Sequence, residues 1–232
     1  MATPSEGTET ARVAVIVGGR GNLGSAVVGA FRNSGYLVDP KWLGDDRPDV
    51  RNRDAFHDLP DRIDAACYIA GTTRIGPTEA LSDSDWEHVL DVNLSGAFRF
   101  ARAAHAGLKH ARGSLIFIGS IMGTHPYPGR AAYAASKIGL EGLGNSLAVE
   151  WGRDAIHTHT IRLGPLSGLM KTVSSPRLLE AVRAHIPDGK LIDPADVARF
   201  LVFLVEHGQA MGPVVDFDPA FTINRWPLPR EG

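Results

Sequence analysis

The chain has 232 residues, of which 44% are hydrophobic, so we expect one α/β domain with a sizeable core. The formal net charge is −2 and both signs are scattered, which favours a small-molecule partner over nucleic acid or a membrane surface. The polar first ten residues resemble no leader, and no apolar run approaches the roughly 18 residues of a membrane span. We expect residues 1–10 to be disordered, the protein to be cytoplasmic, and the single Cys67 to be a buried core thiol.

Apolar runs typical of strands buried on both faces alternate along the chain with segments of helical spacing. Helix ends are indicated by Gly35, by a capping box of Ser82 and Asp85, and by Asp193 before Pro194. The predicted elements are strand 12–19, helix 22–35, strand 36–39, a loop over 40–55 with a brief strand near 48–50, strand 64–71, helix 82–111, strand 113–120, helix 131–152, strand 156–163, helix 194–208 and strand 212–218.

This alternation predicts a single-domain, Rossmann-type, doubly wound parallel sheet with helices on both faces, spanning residues 11–220. Ligands of such sheets bind at the carboxyl ends of the strands. Residues 221–232 are expected to form an irregular tail, and residues 167–187 a lid over the substrate.

A glycine-rich turn, "VGGRGNLG", follows the first predicted strand and opens the first helix at residues 17–24. Its glycines permit tight turning and let the backbone approach a phosphate, toward which the helix points its positive N-terminus. A strand-to-helix connection without a ligand is the simpler alternative, but the position between strand and helix favours a dinucleotide site.

An alanine-rich helix carries Tyr133 and Lys137, and Ser120 ends the strand before it. Residues at i and i+4 share one helix face, about 5.4 Å apart along the axis. A phenol with a pKa near 10 is a poor base at neutral pH, but a neighbouring ammonium favours the phenolate. Tyr133 is therefore predicted to exchange a proton with a substrate oxygen that Ser120 holds by a hydrogen bond.

These motifs resemble those of the short-chain dehydrogenase/reductase family. The family's T-G-x-x-x-G-x-G is similar to residues 17–24, with Val17 and Asn22 as departures, and its N-N-A-G becomes "YIAG" at 68–71 without either asparagine. "DVNLSGAF" is similar to N-V-N-L-x-G-x-F and implies a catalytic Asn93 that holds a relay water, while "YAASK" supplies the Y-x-x-x-K pair. The resemblance extends over about residues 11–220.

The resemblance implies a hydride-transferring oxidoreductase that acts on a small alcohol or ketone with NAD(H) or NADP(H). The implied catalytic residues are Asn93, Ser120, Tyr133 and Lys137. The implied cofactor-binding residues are Gly18, Arg20, Gly21, Asn22, Leu23, Gly24, Asp39, Asp49, Val50, Ala70, Gly71, Tyr133, Lys137 and Gly164.

Cofactor choice depends on the end of the second strand. In the family an acid there takes the ribose hydroxyls of NAD; Trp42 stands at its usual position, and Asp39 comes three residues early. Asp39 favours NAD(H), whereas Arg20 and Lys41 favour NADP(H); we predict NAD(H). The family's long helices form a four-helix interface, so a homodimer or homotetramer is expected through helices 82–111 and 131–152.

Three arginines, Arg74, Arg130 and Arg162, fall in segments that border the family's nicotinamide pocket. They suggest a substrate with an anionic group, since guanidinium groups suit bidentate binding of oxyanions; pairing with nearby acids is the alternative. The histidines show no spacing typical of a metal site, so none is predicted. A pterin-type C=N reductase and a dinucleotide-sensing protein without catalysis remain alternative functions.

Overall fold

The computed structural model describes residues 11–168 and 176–224. The described strands are β1 (Val13–Val17), β2 (Leu37–Val38), β3 (Ala65–Tyr68), β4 (Ser114–Ser120), β5 (His157–Leu163) and β6 (Val214–Phe217). The described helices are α1 (Asn22–Asn33), α2 (Asp83–Leu90), α3 (Gly96–Ala111), α4 (Ala131–Trp151), α5 (Pro176–His185) and α6 (Pro194–His207).

The six strands form one parallel sheet in the order β2-β1-β3-β4-β5-β6. Consecutive residues of a strand point to opposite faces, so the near-continuous burial of β1, β3 and β4 requires helices on both sides. One buried cluster joins α1 and α6 to the sheet, and a second joins α3 and α4 to its other face. The doubly wound parallel fold predicted from the sequence is confirmed.

Cys67 lies in the first of these clusters and has no exposed surface. Burial raises the pKa of its thiol to about 12, because the apolar surroundings disfavour the thiolate. It is a core residue, as the sequence predicts.

The predicted helix over 82–111 is helical throughout, but a π-helical turn at Asp91–Ser95 separates α2 from α3. The Ser82 hydroxyl accepts a hydrogen bond from the amide of Asp85, as predicted for its cap. A π-turn widens the helix by one residue and leaves backbone carbonyls without their usual partners, and such turns cluster at functional sites.

The prediction of a brief strand near residues 48–50 is wrong, because these residues form no strand. Earlier in the same loop the chain makes a short 3-10 turn at Pro40–Trp42. In this turn the Asp39 carboxylate accepts a hydrogen bond from the amide of Lys41 at 2.9 Å. Trp42 is buried and stacks on Phe56 with ring centroids 4.9 Å apart. The tryptophan anchors this segment to the core.

A turn after β6 returns the chain toward α5. The Asp218 carboxylate accepts hydrogen bonds from the amide and hydroxyl of Thr222, and the Asn224 side chain donates to the carbonyl of His185 at 2.8 Å. Residues 221–224 therefore pack on the domain predicted to end at 220. The predicted disorder at 1–10, part of the predicted lid (169–175) and the rest of the tail (225–232) fall outside the described residues. No helix among the described ranges is long and apolar enough to cross a membrane.

Candidate active site

The glycine turn between β1 and α1 is shaped by steric demands. Gly18 has φ +93° and packs so closely on Ala70 that an added β-carbon would lie 2.6 Å from its amide nitrogen. A β-carbon on Gly24 would overlap the carbonyl oxygen of Gly18. Only glycine satisfies both positions, and the turn leaves the N-terminus of α1 open to a phosphate. A dinucleotide pyrophosphate fits this cradle.

Two other predicted residues of this turn have contrasting surroundings. The Leu23 side chain is buried in the core, so only its backbone faces the cradle. The Asn22 side chain donates to the carbonyl of Ser167 at 2.8 Å and would overlap a β-carbon on Gly168. Asn22 therefore connects the glycine turn to the loop after β5, a contact that a glycine at this position would not make.

Gly71, just past β3, lies between two of the predicted catalytic side chains. A β-carbon placed on it would be 3.5 Å from Oδ1 of Asn93 and 3.7 Å from Nζ of Lys137. The ends of β3 and β4 thus meet α4 and the π-turn at one point, above the carboxyl edge of the sheet, as a doubly wound fold requires of a ligand site.

Ser120, Tyr133 and Lys137 meet at this edge. Ser120 ends β4, and its hydroxyl accepts a hydrogen bond from the amide of Met122 at 3.2 Å while interacting with the Tyr133 phenol. One turn along α4, Lys137 donates from Nζ to the carbonyl of Ile118 at 2.7 Å, with Nζ 5.6 Å from the centroid of the Tyr133 ring. The predicted trio therefore converges.

Burial controls the electrostatics of this pair. It lowers the pKa of Lys137, which is 4% exposed, to about 8, because desolvation penalises the ammonium. Burial also raises the pKa of the partly buried Tyr133, while the Ser120 hydroxyl and the charge of Arg130 lower it. Tyr133 is thus a protonated donor at neutral pH unless further positive charge arrives beside it.

Asn93 occupies the middle of the π-turn and is fully buried. Its side chain accepts from the amide of Thr72 at 2.8 Å and donates to the carbonyl of the same residue at 2.9 Å. Nδ2 also donates to the hydroxyl of Ser136 at 2.9 Å, which in turn donates to the backbone carbonyl of Tyr133 at 2.7 Å. The asparagine side chain is therefore committed to holding the π-turn, β3 and α4 together.

Two residues that support the site, Ser136 and Tyr68, were not predicted from the sequence. Ser136 connects Asn93 to α4, and only its position beside Lys137 marks it. Tyr68 stands where the family has an asparagine, and its hydroxyl donates to the carbonyl of Val92 in the π-turn at 2.6 Å. A β-carbon on Gly96 would overlap that hydroxyl, so the glycine in "LSGAF" was the available signal.

The expected adenosine end of the site lies beyond β2. Asp39 is there, with one carboxylate oxygen on the amide of Lys41. Arg20 forms an ion pair with Asp45, and Nζ of Lys41 lies 3.8 Å from the carboxylate of Asp58. Both cations thus already have acidic partners.

Two further predicted residues lie nearby. The Asp49 carboxylate binds the amide and guanidinium of Arg51, which lowers the pKa of Asp49. The carbonyl of Val50 would lie 3.2 Å from a β-carbon on Gly96. At the other end of the site, Gly164 lies against Asp218 and Pro219, and a β-carbon there would overlap the Asp218 carboxylate.

The three predicted substrate arginines differ in their partners. Arg162 binds both carboxylate oxygens of Glu141 and is engaged there. Arg74 donates to Asp85 at 2.8 Å on the surface. Arg130, at the N-terminus of α4, donates to the hydroxyl of Thr73 at 2.9 Å and has no acidic partner among residues 11–168 and 176–224. The described ranges hold no metal-binding group of three or more histidine, cysteine or acidic side chains.

Comparisons with known proteins agree with this geometry. A family model described as "Enoyl-(Acyl carrier protein) reductase" matches residues 52–211. The (3R)-3-hydroxyacyl-CoA dehydrogenase of Canis lupus familiaris is 34% identical over 82% of this chain and 72% of its own length. The D-threitol dehydrogenase of Mycolicibacterium smegmatis is 29% identical over 91% of this chain and 93% of its own. The crystal structure of gox2181 superposes with a TM-score of 0.82 at 28% identity, covering 92% and 96% of the two chains.

The chain therefore belongs to the short-chain dehydrogenase/reductase family. Its relatives are dehydrogenases and reductases, and it is accordingly an oxidoreductase that acts on CH–OH or C=O groups.

Proposed function

We propose that this protein interconverts a small alcohol and the corresponding ketone or aldehyde, using NAD(H) in preference to NADP(H). The observation that carries the proposal is the convergence of Ser120, Tyr133 and buried Lys137 beside the Gly18 cradle. No contact within the site favours C=N reduction or a purely sensing role. A bound nicotinamide supplies or takes the hydride.

The chain's own residues handle the proton and the substrate oxygen. In reduction the Ser120 hydroxyl donates a hydrogen bond to the carbonyl oxygen and Tyr133 transfers its phenolic proton to it. In oxidation the phenolate removes the proton from the alcohol, and Lys137 stabilises that phenolate by its charge. The Asn93 side chain holds α4 in place through Ser136, and the resemblance to the family adds a relay water at this residue.

Preference for NAD(H) is supported by the charges near the expected ribose. The second carboxylate oxygen of Asp39 is available to the ribose hydroxyls and would repel a 2′-phosphate. Arg20 and Lys41, the two cations that favour NADP(H), are paired with Asp45 and Asp58. A 2′-phosphate would have to compete with these carboxylates for the two cations.

An anionic group on the substrate is supported by Arg130. A cation at a helix N-terminus opposes the helix dipole, and among the described residues Arg130 has only the neutral Thr73 hydroxyl as a side-chain partner. A carboxylate, phosphate or sulfonate bound there would offset the unfavourable interaction with the helix dipole. It would also give the guanidinium a charged partner, with two parallel hydrogen bonds. Arg74 and Arg162, held by Asp85 and Glu141, contribute less.

Replacement of the phenol tests the reaction itself. Tyr133→Phe removes the proton donor and keeps the ring, so kcat should fall by about 10²- to 10⁴-fold while the dinucleotide Kd changes little. Turnover of a panel of alcohols and ketones is followed by nicotinamide absorbance with NAD(H) and NADP(H). A variant that retains the wild-type rate would contradict the assignment, and better turnover with NADP(H) would reverse the cofactor preference.

Arg130→Ala tests the anionic group. Loss of a charge-assisted contact should raise KM for a carboxylated substrate by about tenfold or more, with a much smaller change for its neutral methyl ester. Arg74→Ala is the matched control, since that guanidinium is paired with Asp85. Equal effects of Arg130→Ala on charged and neutral compounds would refute this part of the proposal.

A further inference from the structure

One partly buried ion pair joins α4, the helix that carries Tyr133 and Lys137, to β5; the Arg162 side chain is 26% exposed. Glu141 stands on α4 one turn after Lys137 and is 4% exposed. Its carboxylate oxygens accept from Nε and Nη2 of Arg162 on β5, both at 2.9 Å. The third nitrogen, Nη1, lies 3.2 Å from the carboxylate of Asp216 on β6. The guanidinium thus joins α4 to two adjacent strands.

The pair also borders the turn that carries Ser120. Arg162 lies opposite Gly119 in the parallel register of β4 and β5. A β-carbon placed on Gly123, three residues past Ser120, would be 3.5 Å from Oε1 of Glu141. The elements that carry Ser120 and Tyr133 therefore meet at this one ion pair.

Stability alone does not explain a pair in this position. Removing the Glu141 carboxylate and part of the guanidinium from water is costly, and well-packed apolar residues of similar volume often stabilise a protein equally or better. A bidentate pair does fix direction and distance, because the planar guanidinium matches a carboxylate in only a few geometries.

We propose that the Glu141–Arg162 pair is a positioning device for the reaction, which fixes α4 against β4 and β5 so that Tyr133 and Ser120 meet one substrate oxygen. The proposal rests on the proposed function of those two residues. A misplacement of about 1 Å at a reacting centre can reduce the rate on the order of 10²-fold, so loss of the pair should lower kcat much more than binding.

The test is a double variant, Glu141→Leu with Arg162→Met, which replaces the ion pair with apolar side chains and need not lose stability. The expected result is a thermal midpoint near that of the wild type, a kcat lower by about tenfold or more, and a KM and dinucleotide Kd within about threefold. Glu150→Gln, an exposed acid on the same helix, is the control and should leave all these values unchanged. A stable double variant with wild-type kcat would overturn the proposal.

If the double variant does not fold, Arg162→Lys provides the test of the positioning role. It keeps the charge but loses the bidentate geometry, so a wild-type kcat in this variant overturns the proposal and a reduced kcat at unchanged KM supports it. Tyr133→Phe is measured in parallel: if it remains active, the function itself is wrong, whereas an inactive Tyr133→Phe beside a fully active double variant refutes only the positioning role.

Discussion

Lys137 illustrates, at the scale of one residue, how a buried charge lowers stability. Its ammonium is buried with a pKa of about 8, while an unfolded lysine keeps its proton to about pH 10.4. Between these values the unfolded chain binds more protons, so folding stability rises with pH, and below pH 8 the full cost of burial remains.

Lys137→Met should therefore raise the thermal midpoint of the dinucleotide-free protein at pH 7 while abolishing turnover. We expect a net gain of about 1 kcal/mol, or roughly 2–4 °C, after the loss of the hydrogen bond to Ile118. Calorimetric scans at several pH values measure the thermal midpoints of the variant and the wild type. The difference between them should shrink as pH approaches 10. Lys190→Met, which removes an exposed charge, serves as the comparison; a lower midpoint for Lys137→Met at pH 7 would contradict this account.

The positions of the proposed reactive residues were easier to predict from the sequence than the contacts that hold them in place. Tyr133 and Lys137 were predictable because the helical period fixes a spacing of four onto one face. The ion pair of Arg162 with Glu141 was not predictable, since Glu141 lies 21 positions earlier on another element. Pairing across elements depends on strand order and register, which a local pattern does not contain.

At the scale of an element, α4 depends on small residues where it crosses β5. A β-carbon on Gly144 would overlap the hydroxyl of Thr160, whose strand β5 is held between β4 and β6 in the sheet. Gly144→Ala should lower the free energy of unfolding by about 1–3 kcal/mol because the core is overpacked. Urea unfolding followed by circular dichroism gives the value.

Gly29→Ala on α1 is the matched control for that change. No atom lies within 4 Å of the added β-carbon, so alanine should stabilise by up to about 1 kcal/mol through helix propensity. The free energy of unfolding should therefore fall in Gly144→Ala and rise in Gly29→Ala. Equal stability of Gly144→Ala and the wild type would mean that α4 can shift away from β5.

Element type was predictable throughout the sheet, whereas the local irregularities were not. The π-turn at Asp91–Ser95 is stabilised by Tyr68 from β3 and by Ser136 from α4, so its cause lies outside its own segment. The loop that holds residues 48–50 is likewise anchored by a contact between distant residues, Trp42 and Phe56. Tertiary contacts override local propensity in both cases.

At the scale of the whole molecule, α3 and α4 cover one face of the sheet. Both helices also expose apolar side chains to solvent. Phe98 is 45% exposed, Ile138 44% and Val149 87%. We propose that this face is the interface of a homodimer or homotetramer, because several large apolar side chains exposed on two neighbouring helices favour an interaction site.

Ile138→Asp with Val149→Asp should convert the assembly to monomers, since an interface core does not tolerate unpaired charge. Light scattering at micromolar concentration measures the mass. Leu37→Asp, at an exposed position on the edge strand β2, should leave the mass unchanged. A monomeric wild-type protein would refute the proposed assembly.

The inaccessible sulfur of Cys67 has a practical consequence for following motion in this enzyme. Maleimides and other thiol reagents attack exposed thiolates, and the chain's single cysteine has no exposed surface and a pKa of about 12. A cysteine introduced on the outer face of α5 would therefore be the one site that takes up a fluorophore. Movement of that helix during turnover can then be recorded in the otherwise native sequence, without first removing a competing thiol.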